Sequence, residues 1–506
     1  MAAHEAVPEP ADYPDPETAD HVAYNPTLAE LRELSADEEV TTEYGSASYV
    51  SEHRSRSADA TANAVDDEFG DADYDVFARG VEWTADSDND VVCVDRVVGR
   101  HPETSYVCRL FVPAEYGRIA LSWAKLLEPA DGRPPDFVTV QLPDATDDPR
   151  IRVHPERGIT TALGSDYTGE AKKSFLRLFM HRAKRRGGLG LHAGSKRVTL
   201  ADGDGDETRD VGQLFLGLSG TGKSTLTSHG LWLDEPEGVE MIQDDVCALL
   251  PSGTVAGSEG GGLYVKTIGL DPSEQPELHR AATDESAVLE NVAVDEDGTV
   301  HFDEPRHGRN ARATVRRDRL ESSSADIDLD RVDQVYFITR NPLMPPIARL
   351  GHEKAAVAFM LGESVETGAA DPSRMGEPIR VVGTNPFIVG PEGEEGNRFR
   401  DLIADLDVEC FVINTGTVGT DDPIDVGVEE TVAVLKGAAR GRIEWERDDD
   451  LGLTVPSSVP GIDIERFAVA DRVADFEAAR DALREDRREY LDRFDDLDDE
   501  IRDATY

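Results

Sequence analysis

From residue 90 onward the chain alternates short apolar runs with amphipathic stretches. Asp90–Val98 (DVVCVDRVV), Tyr106–Val112 (YVCRLFV) and Val138–Leu142 read as strands, because runs rich in Val fit a half-buried pleated surface. Tyr116–Leu127 and Thr168–Arg186 read as helices. In the second, Phe175, Leu176, Leu178 and Phe179 gather on the buried side and the last turn is basic, as a helix C-terminus favours. Further on, Val211–Leu218 (VGQLFLGL), Val239–Gln243, Val335–Thr339 and Cys410–Asn414 read as strands, and Ser224–Leu231 opens a helix. The pattern predicts one last helix over Val469–Ile501, whose Val473, Phe476, Leu483, Tyr490, Phe494 and Leu497 recur at helical spacing and form a packing stripe. Residues 1–45 are acidic and Pro-rich with few apolar repeats, and read as a loosely ordered segment. The sum is an α/β protein, with an N-terminal domain over 46–205 and a second over 206–506, divided at the Gly/Asp-rich turn Asp202–Asp206.

Charge narrows the function. The chain has 103 Asp and Glu against 52 Lys and Arg, a formal net charge of −51 spread along its whole length. A nucleic-acid surface needs the opposite sign. Lys is scarce, nine residues among those 52 cations, and the excess of carboxylate resembles proteins of a highly saline cytoplasm. At molar salt the Debye length is about 3 Å, which screens the self-repulsion. Cys93, Cys108, Cys247 and Cys410 are far apart with no C-x-x-C, so neither a zinc knuckle nor a disulfide framework is expected. No apolar window reaches membrane-span length and nothing near Met1 reads as a signal sequence, so a cytoplasmic protein is expected.

One stretch carries chemistry outright. Gly217, Leu218, Ser219, Gly220, Thr221, Gly222, Lys223 and Ser224 satisfy G-x-x-x-x-G-K-[ST], followed by Thr225. The glycines let backbone N–H groups converge on phosphate oxygens, Lys223 adds a point charge and the Ser224 hydroxyl suits Mg²⁺. The context agrees, since a strand precedes the loop and a helix follows it. About 20 residues on, an apolar strand ends in Asp244-Asp245, the pattern of a metal-binding acid at a strand's carboxyl end. Acidic pairs abound here, so the preceding strand is what gives this one weight.

Taken in order, these residues resemble the ATP-dependent phosphoenolpyruvate carboxykinase family over roughly 167–461. Gly217–Ser224 is similar to its GLSGTGK[ST] loop and Ile242–Asp245 to its second kinase motif. Gly261–Thr267 resembles GGxYxKT, Leu289–Val292 LENV, Asn310–Arg312 NTR, Pro345-Pro346 the LPP turn, Asn414–Gly416 NTG and Val455–Gly461 IPTSVPG. Upstream, Tyr167–Lys173 resembles Y-x-G-E-x-K-K and Leu191–Ser195 the MHCSA strand. The resemblance implies a two-domain architecture with the P-loop in a mixed-sheet C-terminal domain. It also implies decarboxylation of oxaloacetate to an enolate that takes the γ-phosphate of ATP, a step in gluconeogenesis. Mn²⁺ would be held by Lys173, His192 and Asp245, with Mg²⁺ on Ser224. Lys173, Lys223, Lys266 and Arg312 would be the catalytic cations, Glu290 and Arg312 would line the nucleotide, and Tyr167, Lys173 and Arg56 would bind oxaloacetate. Four of the nine lysines, Lys172, Lys173, Lys223 and Lys266, fall in these motifs.

The sequence also departs from the pattern. The RSPK substrate loop survives only as Arg56-Ser57-Ala58-Asp59, with Arg54 competing for the same role. Ala311 replaces the Thr of NTR. No Arg or Lys occurs from Thr417 to Leu435, where the family places a basic residue against the base, which leaves base preference open. Two other classes remain. Another P-loop kinase or NTPase would need the loop and Asp245 without Lys173 or His192, and a non-catalytic relative would keep nucleotide binding alone. The partners expected are small molecules, oxaloacetate and ATP, with no nucleic acid or membrane. The oligomeric state is open, a monomer being sufficient.

Overall fold

The computed structural model describes residues 7–52, 60–201, 207–218, 220–273, 275–365 and 378–506. It is a mixed α/β structure with several sheets, forming two compact units, and the chain passes between them more than once. The first unit comprises 1–182 with 258–321, the second 183–257 with 322–506.

The first unit contains an eight-stranded sheet. Its main path runs Val22–Tyr24, Val91–Val98, Tyr106–Pro113, Phe137–Leu142, Ile159–Leu163, Arg150–His154, Thr61–Asn63. Val91–Val98 and Phe137–Leu142 are mostly apolar and nearly every residue in them is buried; of the polar exceptions, Asp95 is paired with Arg109 and Gln141 donates to the Ser165 and Tyr167 carbonyls. Helix Thr168–Arg185 is as expected, with Phe175, Leu178 and Phe179 fully buried. A second sheet of five strands runs Gly262–Lys266, Arg312–Arg316, Val288–Glu290, Ala47–Tyr49, Val40–Thr41.

The second unit is built on an eight-stranded sheet in the order Gly238–Gln243, Ala193–Ala201, Thr208–Leu216, Gln334–Thr339, Glu409–Asn414, Ile347–Leu350, Leu453–Ser458, Glu444–Asp448. Its middle three, 208–216, 334–339 and 409–414, are parallel. Alternation sorts their side chains into two cores. Leu214, Leu216, Val335, Phe337 and Val412 enter one with helices His352–Leu361 and Glu392–Asp405. Phe215, Tyr336, Ile338, Phe411 and Ile413 enter the other with helix Val428–Ala439. No helix among the described residues is long and apolar enough to cross a membrane.

Three expectations change. Residues 7–45 are folded onto the first unit: Val22–Tyr24 pairs parallel with Val91–Cys93, and Val7, Tyr13 and Leu31 are buried, so a few apolar residues suffice to pin an acidic stretch onto a sheet. The division near residue 205 falls within a strand pair, since Ala193–Ala201 and Thr208–Leu216 are antiparallel neighbours. The turn at 202–206 itself lies outside the described residues. The single C-terminal helix is broken into a 3-10 turn Val469–Arg472, helix Phe476–Leu491 and helix Asp499–Asp503. Asp475 caps the long helix by accepting from the Ala478 N–H, a stop and start that apolar periodicity does not register. The stripe does pack as read: Val473, Phe494 and Leu497 are buried and Phe476, Leu483 and Tyr490 lie against the same core.

Two buried charges organise the second unit. Arg487, fully enclosed, donates to both Glu363 oxygens (2.7 and 3.2 Å) and to the Tyr506 carbonyl (2.6 Å), while Arg380 also pairs with Glu363. Although burial alone would raise it, the Glu363 carboxyl is held down at about 2 by these guanidinium groups. Lys196 is also fully buried, donating to the Leu226 carbonyl (2.7 Å) at the end of the short helix Lys223–Ser228, and burial pushes its amine down to about 7.

Replacing Arg487 by Met takes one of two guanidinium partners from the buried Glu363, leaving Arg380, and should cost about 1.5–3 kcal/mol in denaturant unfolding. Because the folded carboxyl titrates below its ordinary value of 4.5, its contribution is complete above that pH and disappears as pH falls towards about 2. The stability deficit of Arg487→Met relative to the parent should therefore be full above about pH 4.5 and shrink as pH falls towards about 2. Lys196 has the opposite window. Between about 7 and its ordinary 10.5 the unfolded chain binds the proton that the folded chain has released, so stability rises with pH there. The Lys196→Met variant should lose that rise, which amounts to at most about 1.4 kcal/mol of unfolding free energy per pH unit.

Candidate functional site

In the second unit, strand Thr208–Leu216 runs into the glycine-rich loop, and the loop into helix Lys223–Ser228. Gly220 and Gly222 have φ of 83° and 99°, left-handed values that only glycine takes at little cost. The Thr221 hydroxyl donates to the Leu218 carbonyl (2.7 Å), and the Thr221 carbonyl accepts from the Thr415 hydroxyl (2.8 Å), which ties the loop to the end of strand Glu409–Asn414. A side chain at Gly194 would collide with Thr227, its Cβ falling 2.1 Å from Oγ1, so this glycine allows the short helix to lie against strand Ala193–Ala201.

Lys223 opens that helix. Its Nζ is buried and has no hydrogen-bond acceptor among the described residues; the carboxylate of Asp245 stands 3.7 Å away. Asp245 follows strand Gly238–Gln243, and its Oδ1 is 3.0 Å from His192 Nε2. His192 Nδ1 lies 2.6 Å from the Thr384 carbonyl, an acceptor only, so Nδ1 carries a hydrogen. Nε2 then either donates a proton to Asp245 or presents its lone pair, beside a carboxylate, to a cation. That donor set fits a divalent metal. No group of three His, Cys, Asp or Glu able to hold a metal occurs among the described residues. Ser224 and Thr225 are half-buried on the helix, and the Ser224 carbonyl accepts from Ser228. Ser219 lies outside the described residues.

The first unit holds the remaining candidates. Residues Lys266, Arg312 and Glu290 are directly opposite one another on three neighbouring strands, so their side chains share one face of the five-stranded sheet. Glu290 is buried and accepts from the Ser51 hydroxyl (2.5 Å), the Thr168 N–H (3.0 Å) and the Tyr264 hydroxyl. Burial, then the Glu290 charge, pushes the Tyr264 phenol well above its ordinary range, so it stays a donor. The Arg312 guanidinium lies over the Tyr264 ring at 5.6 Å, and Tyr264 stands 6.3 Å from Tyr167. Lys173 sits 5.4 Å above the Tyr167 ring and 3.3 Å from Glu170. Its neighbour Lys172 is different: buried and ion-paired to Glu259 at 2.5 Å, it has a structural partner. Arg54 and Arg56 lie outside the described residues.

Sequence reasoning missed several supports. Ser51 reaches Glu290 across 239 positions, and no local pattern announces such a contact. Arg118, buried in helix Gly117–Leu126, donates to Asp166 (2.7 Å) and Glu38 (2.7 Å). Burial works against its charge, but Glu290, Asp166 and Glu38 outweigh it and raise its pKa. An Arg at the start of a largely apolar helix was the available signal. Tyr264 stood inside a quoted motif without a role.

The family model described as phosphoenolpyruvate carboxykinase, in its ATP-dependent form, matches residues 20–465. A protein of Aeropyrum pernix named phosphoenolpyruvate carboxykinase (ATP) is 37% identical over 361 residues, 70% of this chain and 71% of its own. Proteins of the same name from Chelativorans sp. and Bradyrhizobium diazoefficiens are each 29% identical, the former over 77% of this chain and 72% of its own, the latter over 65% and 62%. The chain belongs to the ATP-dependent phosphoenolpyruvate carboxykinase family.

Proposed function

We propose that the protein converts oxaloacetate and ATP to phosphoenolpyruvate, CO₂ and ADP, serving gluconeogenesis in the cytoplasm. The observation that carries this reading is the buried Lys223 ammonium, which has no hydrogen-bond acceptor among the described residues and is set in a Gly-rich loop beside Asp245 and His192. An ammonium in such a position needs an anion, and the loop's composition suits a polyphosphate. Gly217–Thr225 then hold the phosphates, in a C-terminal nucleotide- and metal-binding part of the molecule, and Lys223 balances charge as the γ-phosphoryl group leaves ADP.

Substrate binding falls to the N-terminal part. Tyr167, Lys173 and an arginine at 56 or 54 bind the oxaloacetate carboxylates, the arginine being suited to bidentate contact. Lys266 and Arg312 add charge to the phosphoryl oxygens, and Glu290, anchored by Ser51 and Tyr264, fixes the Arg312 strand on the nucleotide side. His192 and Asp245, with Lys173, would hold Mn²⁺, and Ser224 would hold Mg²⁺. A bound divalent ion supplies Lewis-acid stabilisation of the charge that develops on the substrate oxygen during decarboxylation. As a ligand Lys173 must be neutral, which a nearby cation favours. The Thr384 carbonyl holds a hydrogen on His192 Nδ1, which leaves the Nε2 lone pair, beside Asp245, for the ion.

In multimolar KCl, purified protein should form phosphoenolpyruvate from oxaloacetate and ATP. Lys223→Met should lower kcat/KM about 10²- to 10³-fold, in the range for removal of one charge-stabilising donor. Activity near that of the parent would remove the loop from the mechanism. Lys173→Met and His192→Asn should raise the Mn²⁺ concentration for half-maximal activity about tenfold or more, with ATP binding kept. An unchanged Mn²⁺ dependence would instead favour another P-loop kinase or NTPase.

A further inference from the structure

Arg340 is a cation for which the mechanism above has no use. It follows strand Gln334–Thr339, the middle of the three parallel strands of the second unit, whose flanking strands end in the Gly-rich loop and in Asn414-Thr415-Gly416. In such sheets ligands gather at the carboxyl ends of the strands.

Three observations bear on what Arg340 does there. Its guanidinium forms no hydrogen bond or ion pair among the described residues, although Nε is buried from solvent. Burial alone acts on its pKa, downward, with no carboxylate to offset it, and this in a chain with 103 acidic residues. A cation kept clear of so many available carboxylates is costly unless another anion arrives. Second, its stem is accommodated on purpose. A Cβ at Gly416 would fall 3.1–3.3 Å from Arg340 Cα, Cβ and Cγ, so glycine there leaves the room the side chain uses. Third, the neighbouring residue Thr415 bonds the Thr221 carbonyl of the Gly-rich loop (2.8 Å), and Ile338, two residues before Arg340, packs against Gly217. Arg340 thus flanks the loop on the side of the Asn414 turn. From Thr417 to Leu435 the sequence offers no other Arg or Lys to that flank.

We infer that Arg340 binds the phosphate chain of the nucleotide, adding a second cation from the second unit to that of Lys223. The inference rests on the nucleotide-binding reading of the loop. A guanidinium suits this task because its N–H fork matches two phosphate oxygens, and Nε is part of that fork.

The test is calorimetric titration of the full chain in multimolar KCl with MgATP, MgADP and adenosine. Arg340→Met keeps the stem against Gly416 and should weaken MgATP and MgADP binding about 10- to 30-fold, the range for a lost charge-assisted contact, while adenosine binding and the thermal midpoint stay as in the parent. Arg340→Lys should recover part of the loss. MgATP binding unchanged in Arg340→Met, or equal loss for adenosine and MgATP, overturns the inference. Lys223→Ala separates the two readings. If it abolishes MgATP binding while Arg340→Met does not weaken it, only the role of Arg340 falls. If the folded parent binds no MgATP, both fall.

Discussion

The second unit depends on a constraint of its sheet: three parallel strands covered on both faces must end together, and their ends are the one edge where polar backbone can face a ligand. Thr208–Leu216, Gln334–Thr339 and Glu409–Asn414 meet this condition in register. Apolar alternation fills both cores, which fixes the strands so firmly that the loops beyond them inherit their positions. The Thr415–Thr221 bond joins two of these loops directly, and Asn414 uses its amide to hold the Asn341, Met344 and Thr417 carbonyls. Preorganised donors are the form in which electrostatic catalysis is least costly, because no reorientation is needed when charge moves.

Against a net charge of −51, the placement of cations is selective. Exposed carboxylates are screened by salt beyond about a Debye length. The interior is a different medium. Arg487 and Glu363, Arg118 and Asp166, Lys172 and Glu259 are each buried pairs with direct contacts, and they fix local geometry where salt cannot screen them. Lys223 and Arg340 differ from that set in having no hydrogen-bond acceptor for their buried nitrogens among the described residues.

What could be read from sequence follows the range of each interaction. The Gly-rich loop is local, so eight consecutive residues announce strand, turn and helix together, and the helix is shorter than expected only because His229 turns extended after Ser228. The parallel strands were legible as apolar runs because burial on both faces leaves no polar alternation. Other features were invisible for the same physical reason reversed. Ser51, Glu290 and Tyr264 meet through sheet pairing between segments that are 239 positions apart for Ser51 and Glu290 and 26 for Tyr264 and Glu290, and neither periodicity nor spacing encodes that register. The discontinuous units are likewise a matter of long-range pairing. The broken C-terminal helix turned on one capping side chain, Asp475, among many acids of identical local appearance.

The two lysines at the short helix show how one residue type acquires opposite tasks from packing alone. Lys196 and Lys223 are both nearly enclosed, and both serve helix Lys223–Ser228. Lys196 gives its hydrogens to the carbonyls of Leu226 and His229 and lies 4.9 Å from the Phe215 ring, so its needs are met inside the protein. It can be neutral or charged without a ligand, and its cost is borne by folding. Lys223, at the other end, faces the loop with no such carbonyl; Asp245 at 3.7 Å offsets its charge, but its hydrogens find no acceptor among the described residues. Satisfying the first lysine steadies the helix from below. Leaving the second unsatisfied reserves its charge for binding. The same sequence segment therefore holds stability at one end and function at the other, and the difference lies in which backbone carbonyls the fold brings within reach.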